Sequence, residues 1–319
     1  MLNDLPAVCG QGSDMMIFAD DVMVCKIIAS GADEIAFQKD LDAVTEWARN
    51  HNLIFNATKS VCIKFSSSVK LSQSYQVNGE GVPNVNSAKY LGIHLDRSLK
   101  WKLQSENVSG RMLKRLRYLS TLFRARNLSA RCILYTSLVL SVSDYSASVT
   151  FPTQKGLVDN IENVQKRFVK SLHLNSDRND YTGRLKELQW EPIVLRNLKR
   201  NPQLTHKFVY SSVPYGDQLF RKDTAVCSGV SGATRHRQRI IKHPCPIVAT
   251  GSNFCGHKLP PSDRSFAYRL ARIWNDLQIP AEAYQSLGRF TEALNRVDWK
   301  SVVSLKKFYR PKHVSLLEM

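Results

Sequence analysis

The sequence predicts an α+β chain in which a small sheet-bearing segment, residues 1–100, precedes a mainly helical remainder. Short apolar runs at Met15 to Phe18 and Val22 to Ile28 flank the polar Ala19-Asp20-Asp21, the pattern of a hairpin with two acids at its tip. Beyond Lys100, Leu113, Leu116, Leu119 and Leu122 with Phe123 recur at helical spacing, and Gly is sparse until residue 183. A length of 319 residues exceeds the needs of one ordinary core, so two domains, or one domain with a helical appendage, are expected.

After the hairpin, Ile35, Leu41, Val44, Trp47 and Ala48 recur at helical spacing, and Asp33 and Glu34 sit where a helix N-terminus favours acids. This predicts a helix over Gly31 to Asn52. Leu53 to Phe55 and Val61 to Phe65 read as short strands around the polar Asn56-Ala57-Thr58-Lys59. Tyr75 to Val82 carries an Asn78-Gly79 turn signal, and a further strand-like stretch runs from Lys89 to Asp96. A second helical stripe is Leu157, Ile161, Val164 and Phe168 with Val169; Leu185, Leu188, Leu195 and Leu198 predict more helices around Trp190-Glu191-Pro192. Residues 211–264 hold most of the late Gly, Pro, Ser and Cys with little periodicity, which predicts an irregular linker. The layout expected is therefore 1–100 with sheet, 101–210 helical, 211–264 irregular and 265–319 a helical extension.

Hydrophobic residues at 43% and aromatics at 9% exclude wholesale disorder. Lys and Arg number 45 against 27 Asp and Glu, a net charge of +18 that favours a polyanionic partner, nucleic acid first. No apolar run reaches the roughly 18 to 20 residues that span a bilayer; Cys132 to Val149 is interrupted by Thr136, Ser137, Ser141, Ser143 and Asp144. Met1 to Pro6 has no basic cluster leading into a long apolar stretch, so a secretory signal is not expected and the nucleus or cytoplasm is. An odd, scattered set of 7 cysteines argues against a disulfide framework, and Cys9, Cys25, Cys62 and Cys132 read as small core residues. Oligomeric state has no signature in the sequence.

Arg111, Lys114, Arg115, Arg117, Arg124, Arg126 and Arg131 fall in a stretch, Asn107 through Ser143, that has no acid. A solvated helix face ordinarily carries both signs, so this one-sign face is assigned to nucleic-acid backbone contact. A second patch, Arg235, His236, Arg237, Arg239, Lys242 and His243, fits a nucleic-acid tail or plain solubilising charge. His243-Pro244-Cys245 and Cys255-Gly256-His257 contain a tetrahedral donor set, but structural zinc sites space paired ligands two to four residues apart. Scattered loop residues are the preferred reading there.

An Asp-Asp pair in a turn is by itself usually a solvated turn. Its neighbours alter the odds. Phe18-Ala19-Asp20-Asp21 between two apolar runs is similar to the aromatic-Ala-Asp-Asp signature of the reverse transcriptase palm, and Asn3-Asp4-Leu5-Pro6 resembles what leads into it in non-LTR (LINE-type) elements. Trp47 with Asn52, Leu53, Asn56 and Lys59 looks like the next palm segment, and Lys89-Tyr90-Leu91-Gly92-Ile93 with Leu95, Asp96, Leu99 and Trp101 resembles the element that supports the primer terminus. Tyr135, Ser137-Leu138-Val139, Asp144-Tyr145-Ser146 and Ile161 through Phe168 are similar to the thumb and its extension. Arg264-Ser265-Phe266, Arg269, Arg272 and Trp274-Asn275-Asp276-Leu277 with Ile279-Pro280 resembles the closing segment, with Gln278-Ile279 inserted before the proline.

The resemblance implies a partial polymerase palm over residues 1–100 (an antiparallel hairpin and short strands with a packed helix), followed by a mainly α-helical thumb and extension. It implies two-metal nucleotidyl transfer, with Asp20 and Asp21 on Mg²⁺, Lys59 assisting pyrophosphate departure, Tyr90, Leu91 and Gly92 as primer grip, and an RNA template with a DNA primer as partners. Taken alone, Lys59 also reads as a solvated loop lysine. In that family the other catalytic carboxylate lies on a strand well upstream; residues 1–17 offer only Asp4 and Asp14. These residues alone are therefore expected to be inactive as a polymerase, the alternative being a non-catalytic basic RNA- or DNA-binding protein of retroelement descent.

Overall fold

The computed structural model describes residues 4–65, 74–122, 127–150, 154–211, 220–222, 240–242, 266–277, 279–299 and 302. They form helices and short antiparallel strand pairs, an α+β chain, in two compact units, one built on Met1–Lys100 and the other beginning at Trp101.

In the first unit, β1 (Ser13–Phe18) and β2 (Asp21–Lys26) pair antiparallel from Ser13↔Lys26 to Phe18↔Asp21, closed by the two residues Ala19 and Asp20. α1 (Gly31–Asn50) follows, started by a capping box in which Ser30 and Asp33 exchange side-chain and backbone hydrogen bonds. Val44, Trp47 and Ala48 of α1 form with Leu5 a small core, against which Met15, Ile17 and Val22 of the hairpin pack. Asp40 of α1 fastens the hairpin base: it accepts from Gly10 N at 2.8 Å, Ser13 Oγ at 2.5 Å and Lys26 Nζ at 3.0 Å. Burial alone would raise its carboxyl, but the hydrogen bonds from Ser13, Gly10 and Lys26 outweigh that and hold it below the ordinary 3.8.

Two expectations in this unit are corrected. Ile35 is exposed while Glu34 is buried; Ile35 lies nine residues, two and a half turns, before Val44 and so points away from the core. Leu53–Phe55 forms no strand, and Val61–Phe65 contributes only the bridge Cys62↔Asn84, because a strand-like run needs a neighbouring edge to pair with. The Asn78-Gly79 signal does make a hairpin, β3 (Gln76–Val77) to β4 (Glu80–Gly81), with φ of 55° and 79° as a type I′ turn requires. Lys89 to Asp96 is two strands rather than one: β5 (Ser87–Tyr90) and β6 (Ile93–Asp96) turn at Leu91 (φ 45°) and Gly92 (φ 77°).

The second unit is helical: α2 (Lys102–Leu122), α3 (Leu128–Leu134), a π-helical segment Tyr135–Leu140, α4 (Ser141–Asp144), α5 (Ala147–Thr150), α6 (Lys155–Lys170), α7 (Tyr181–Leu188) and α8 (Ile193–Tyr210). After a strand pair, β7 (Phe220–Lys222) with β8 (Ile240–Lys242), come α9 (Phe266–Asp276), a 3-10 turn Ala281–Gln285 and α10 (Leu287–Asn295). The pair corrects the expectation of an irregular 211–264 at those positions; most other residues of that span lie outside the described ones. One contiguous core joins Met112, Leu116 and Leu119 of α2 with Tyr135, Ile161, Phe168, Leu185, Ile193, Leu198, Trp274 and Phe290. The buried seam of α2 is thus Val108, Met112, Leu116 and Leu119; Leu113 is half-buried, Leu122 is exposed, and Phe123 lies outside the described residues.

Buried polar groups set the geometry of this unit. Glu162 of α6 accepts from the Ile193 and Val194 amides at 3.2 Å each and from the Tyr181 hydroxyl, placing a carboxylate at the N-terminus of α8. Burial pushes that carboxyl up, opposed by these hydrogen bonds. Arg184 closes the C-terminal end of α6, donating to the carbonyls of Val169 at 2.8 Å, Leu172 at 2.7 Å and Ser176 at 2.9 Å.

Candidate functional site

The hairpin tip carries the acids. Asp20 occupies the turn and Asp21 opens β2 opposite Phe18, both exposed. Ala19 turns the chain at φ 53°, a left-handed conformation that costs an L-residue of order 1 kcal/mol and that glycine would adopt more cheaply. A two-residue hairpin turn requires such positive φ, so the conformation belongs to the tight closure between Phe18 and Asp21. On β1, Met15 and Ile17 face α1, so Phe18 and Met16 stand on the outer face, Phe18 at 63% exposure.

Tyr90 ends β5 in the same unit, half-buried. Burial, then the carboxylate of Asp21 and then Cys25, push its hydroxyl up. Leu91 takes the same strained backbone as Ala19, so each of these two hairpins turns on a non-glycine residue with positive φ. Lys59 is exposed in a turn organised by Asn56, whose Oδ1 accepts from Lys59 N at 3.1 Å. Among the described residues no hydrogen bond or ion pair joins the Lys59 ammonium to the Asp pair.

The remaining acids of the segment are spent elsewhere. Asp4 accepts from Trp47 Nε1 at 3.2 Å, the bond that chiefly lowers its carboxyl. Asp14 precedes Asp20 by six residues of extended chain, about 20 Å. Among the described residues no group of three His, Cys, Asp or Glu is placed to hold a metal ion. Asp20 and Asp21 are the exposed carboxylates at this tip, the donor type that a hard divalent cation takes together with water.

Arg111, Lys114, Arg115 and Arg117 of α2 are all exposed. Arg115 also donates from Nη1 to the Leu138 carbonyl at 2.7 Å, in the π-helical segment. Arg124 and Arg126 lie outside the described residues. Arg131 is not a free cation of this face: half-buried, it donates to the Ser171 carbonyl at 3.2 Å and hydroxyl at 2.9 Å. His243, Cys245, Cys255 and His257, and the side chains of the second basic patch, are also outside the described residues. Sequence reasoning passed over Tyr118, 65% exposed among the α2 cations; its helical phase with Arg111 and Arg115 was the available signal.

The Ile161–Phe168 motif is packing. Glu162 holds α8, Gln165 Nε2 donates to the Glu191 carbonyl at 2.9 Å, and Phe168 stacks on Tyr135 at 4.1 Å between ring centroids. Trp274 and Leu277 of the closing segment are likewise buried.

Comparison with known proteins points one way. The chain is 31% identical over 113 residues to the RNA-directed DNA polymerase from mobile element jockey of Drosophila funebris, covering 34% of this chain and 12% of that protein. It is 25% identical over 231 residues to the Drosophila melanogaster jockey polymerase, 71% of this chain and 25% of that protein. A probable RNA-directed DNA polymerase from transposon X-element of Drosophila melanogaster is 32% identical over 114 residues, 34% of this chain and 12% of the relative. This chain is related to LINE-type, non-LTR retrotransposon reverse transcriptases. Its matched part spans a quarter or less of each relative's length. No family model matches the chain, and no solved structure does. Among the described residues no helix is long and apolar enough to cross a membrane.

Proposed function

We propose that this chain is the end of the palm and the thumb of an RNA-directed DNA polymerase, working on an RNA template and a DNA primer. The observation that carries the reading is the exposed Asp20-Asp21 pair at the tip of the β1–β2 hairpin, with the Asp21 carboxylate among the causes that raise the Tyr90 hydroxyl. Asp20 and Asp21 would hold Mg²⁺, which when bound neutralises charge on the attacking and leaving oxygens of phosphoryl transfer. Tyr90, with the turn at Leu91 and Gly92, would position a primer terminus, and Lys59 would reach the departing pyrophosphate. Arg111, Lys114, Arg115 and Arg117 of α2 would grip phosphates one charge at a time, without reading sequence.

Two carboxylates leave a two-metal site short of a ligand, so a polypeptide of these residues alone binds the ion weakly and does not extend a primer. Primer extension on an RNA template with Mg²⁺ or Mn²⁺ tests this. The expected result is no incorporation above an Asp20→Ala control; incorporation that the substitution abolishes would refute the predicted inactivity.

The same α2 surface favours a second reading, a basic nucleic-acid-binding protein of retroelement descent without catalysis. Salt-dependent binding without primer extension accords with both readings. Joining the residues to an upstream segment that carries a third carboxylate separates them: only the first reading expects extension to appear.

A further inference from the structure

We infer that the α2 stripe Arg111, Lys114, Arg115, Tyr118 and Leu122 receives an unpaired nucleic-acid strand, with Tyr118 as a base-stacking platform. The inference rests on the reading of α2 as a nucleic-acid surface and names what that surface prefers.

At 100° per residue the five side chains fall within a third of the helix circumference. Val108, Met112, Leu116 and Leu119 occupy a separate, buried arc. The stripe is therefore not the helix's core face, and its exposure follows: Tyr118 is 65% and Leu122 55% exposed. Arg111 and Lys114 have no acid partner among the described residues, and the sequence from Asn107 through Ser143 contains none. Charge complementarity selects a polyanion.

The apolar members distinguish between polyanions. A duplex stacks its bases inside and presents phosphates and sugars, which satisfy the cations but leave an exposed tyrosine ring without a partner. An unpaired strand offers a base face for the ring and phosphates for the flanking cations. Arg115 is preset for this arrangement. One of its guanidinium nitrogens is bound to the Leu138 carbonyl in the π-helical segment, and the guanidinium retains further donors. Exposed Ile133 and Leu138 lie on the segments that follow α2, and Leu138 is the residue Arg115 reaches.

The test is fluorescence anisotropy with the full chain, titrating labelled oligouridine and an RNA–DNA duplex of equal length across a salt series. Tyr118→Ala is expected to weaken oligouridine binding about tenfold and leave duplex binding unchanged, with Tyr118→Phe retaining both. The double variant Arg111→Ala/Lys114→Ala should weaken both probes and flatten the salt dependence. If the double variant behaves so while Tyr118→Ala binds oligouridine like the wild type, or loses both probes equally, the stacking role is overturned and the basic surface stands. Absence of salt-dependent binding to either probe overturns both.

Discussion

The unit that ends at Lys100 and the helical unit that follows bury apolar surface in different ways. The first has a small core, Leu5, Val44, Trp47 and Ala48, under a two-stranded hairpin, and leaves Met16, Phe18, Ile27, Ile35, Leu53, Ile54, Val61 and Phe65 exposed, Ile54 at 88%. The second closes one continuous core from α2 through α10 and ties its helices with buried Glu162 and Arg184. A two-stranded ribbon is marginal without further strands or a helix to cover it. The candidate chemistry thus sits on the thinner scaffold, held by the Asp40–Lys26 clasp, while the helical unit has the larger core.

The largest expected effect lies in the helical core. Phe168→Ala, which removes a fully buried ring stacked on Tyr135, should cost about 3–5 kcal/mol in the helical unit's denaturant unfolding. A loss under 1 kcal/mol would mean that this core is looser than its packing indicates.

Second in size is the clasp. Asp40→Asn should cost the first unit about 2 kcal/mol at neutral pH, since Lys26 and Asp40, each 8% exposed, lose their pairing. The depressed carboxyl of Asp40 contributes stability above its unfolded value of 3.8, and that contribution is lost as pH falls through the lower folded value. The wild-type minus Asp40→Asn difference should therefore be flat from neutral pH to about 4 and shrink below it. A difference that shrinks already near pH 6 would assign the stability to another group.

The smallest effect belongs to the outer face of the hairpin. Phe18→Ser should change stability by less than about 0.5 kcal/mol while reducing self-association in light scattering, because the ring is exposed on a sheet that has two strands among the described residues.

How much of this could be read beforehand follows the same division. The hairpin acids, the Asn78-Gly79 turn and the α6 stripe were legible because they depend on local chemistry and periodicity. Leu53–Phe55 was misread because pairing depends on a distant edge, and Leu122 because its helical phase turns it from the core. The role of Glu162 had no local signal, its partners Ile193 and Val194 lying on another helix. The positive φ of Ala19 follows from the two-residue closure of its hairpin, which an alanine does not announce in the sequence. For the candidate site, the sequence indicated the acids and the cations, whereas the influence of Asp21 on the Tyr90 hydroxyl and the exposure of Tyr118 needed coordinates.

The central claim is that Asp20 and Asp21 form a divalent-ion site on a hairpin tip, and Mn²⁺ titration followed by NMR line broadening tests it most directly. Broadening should appear first at Ala19 through Val22 and at Tyr90, and vanish in Asp20→Asn/Asp21→Asn. Broadening centred on other acids, or undiminished by that double substitution, would contradict the account.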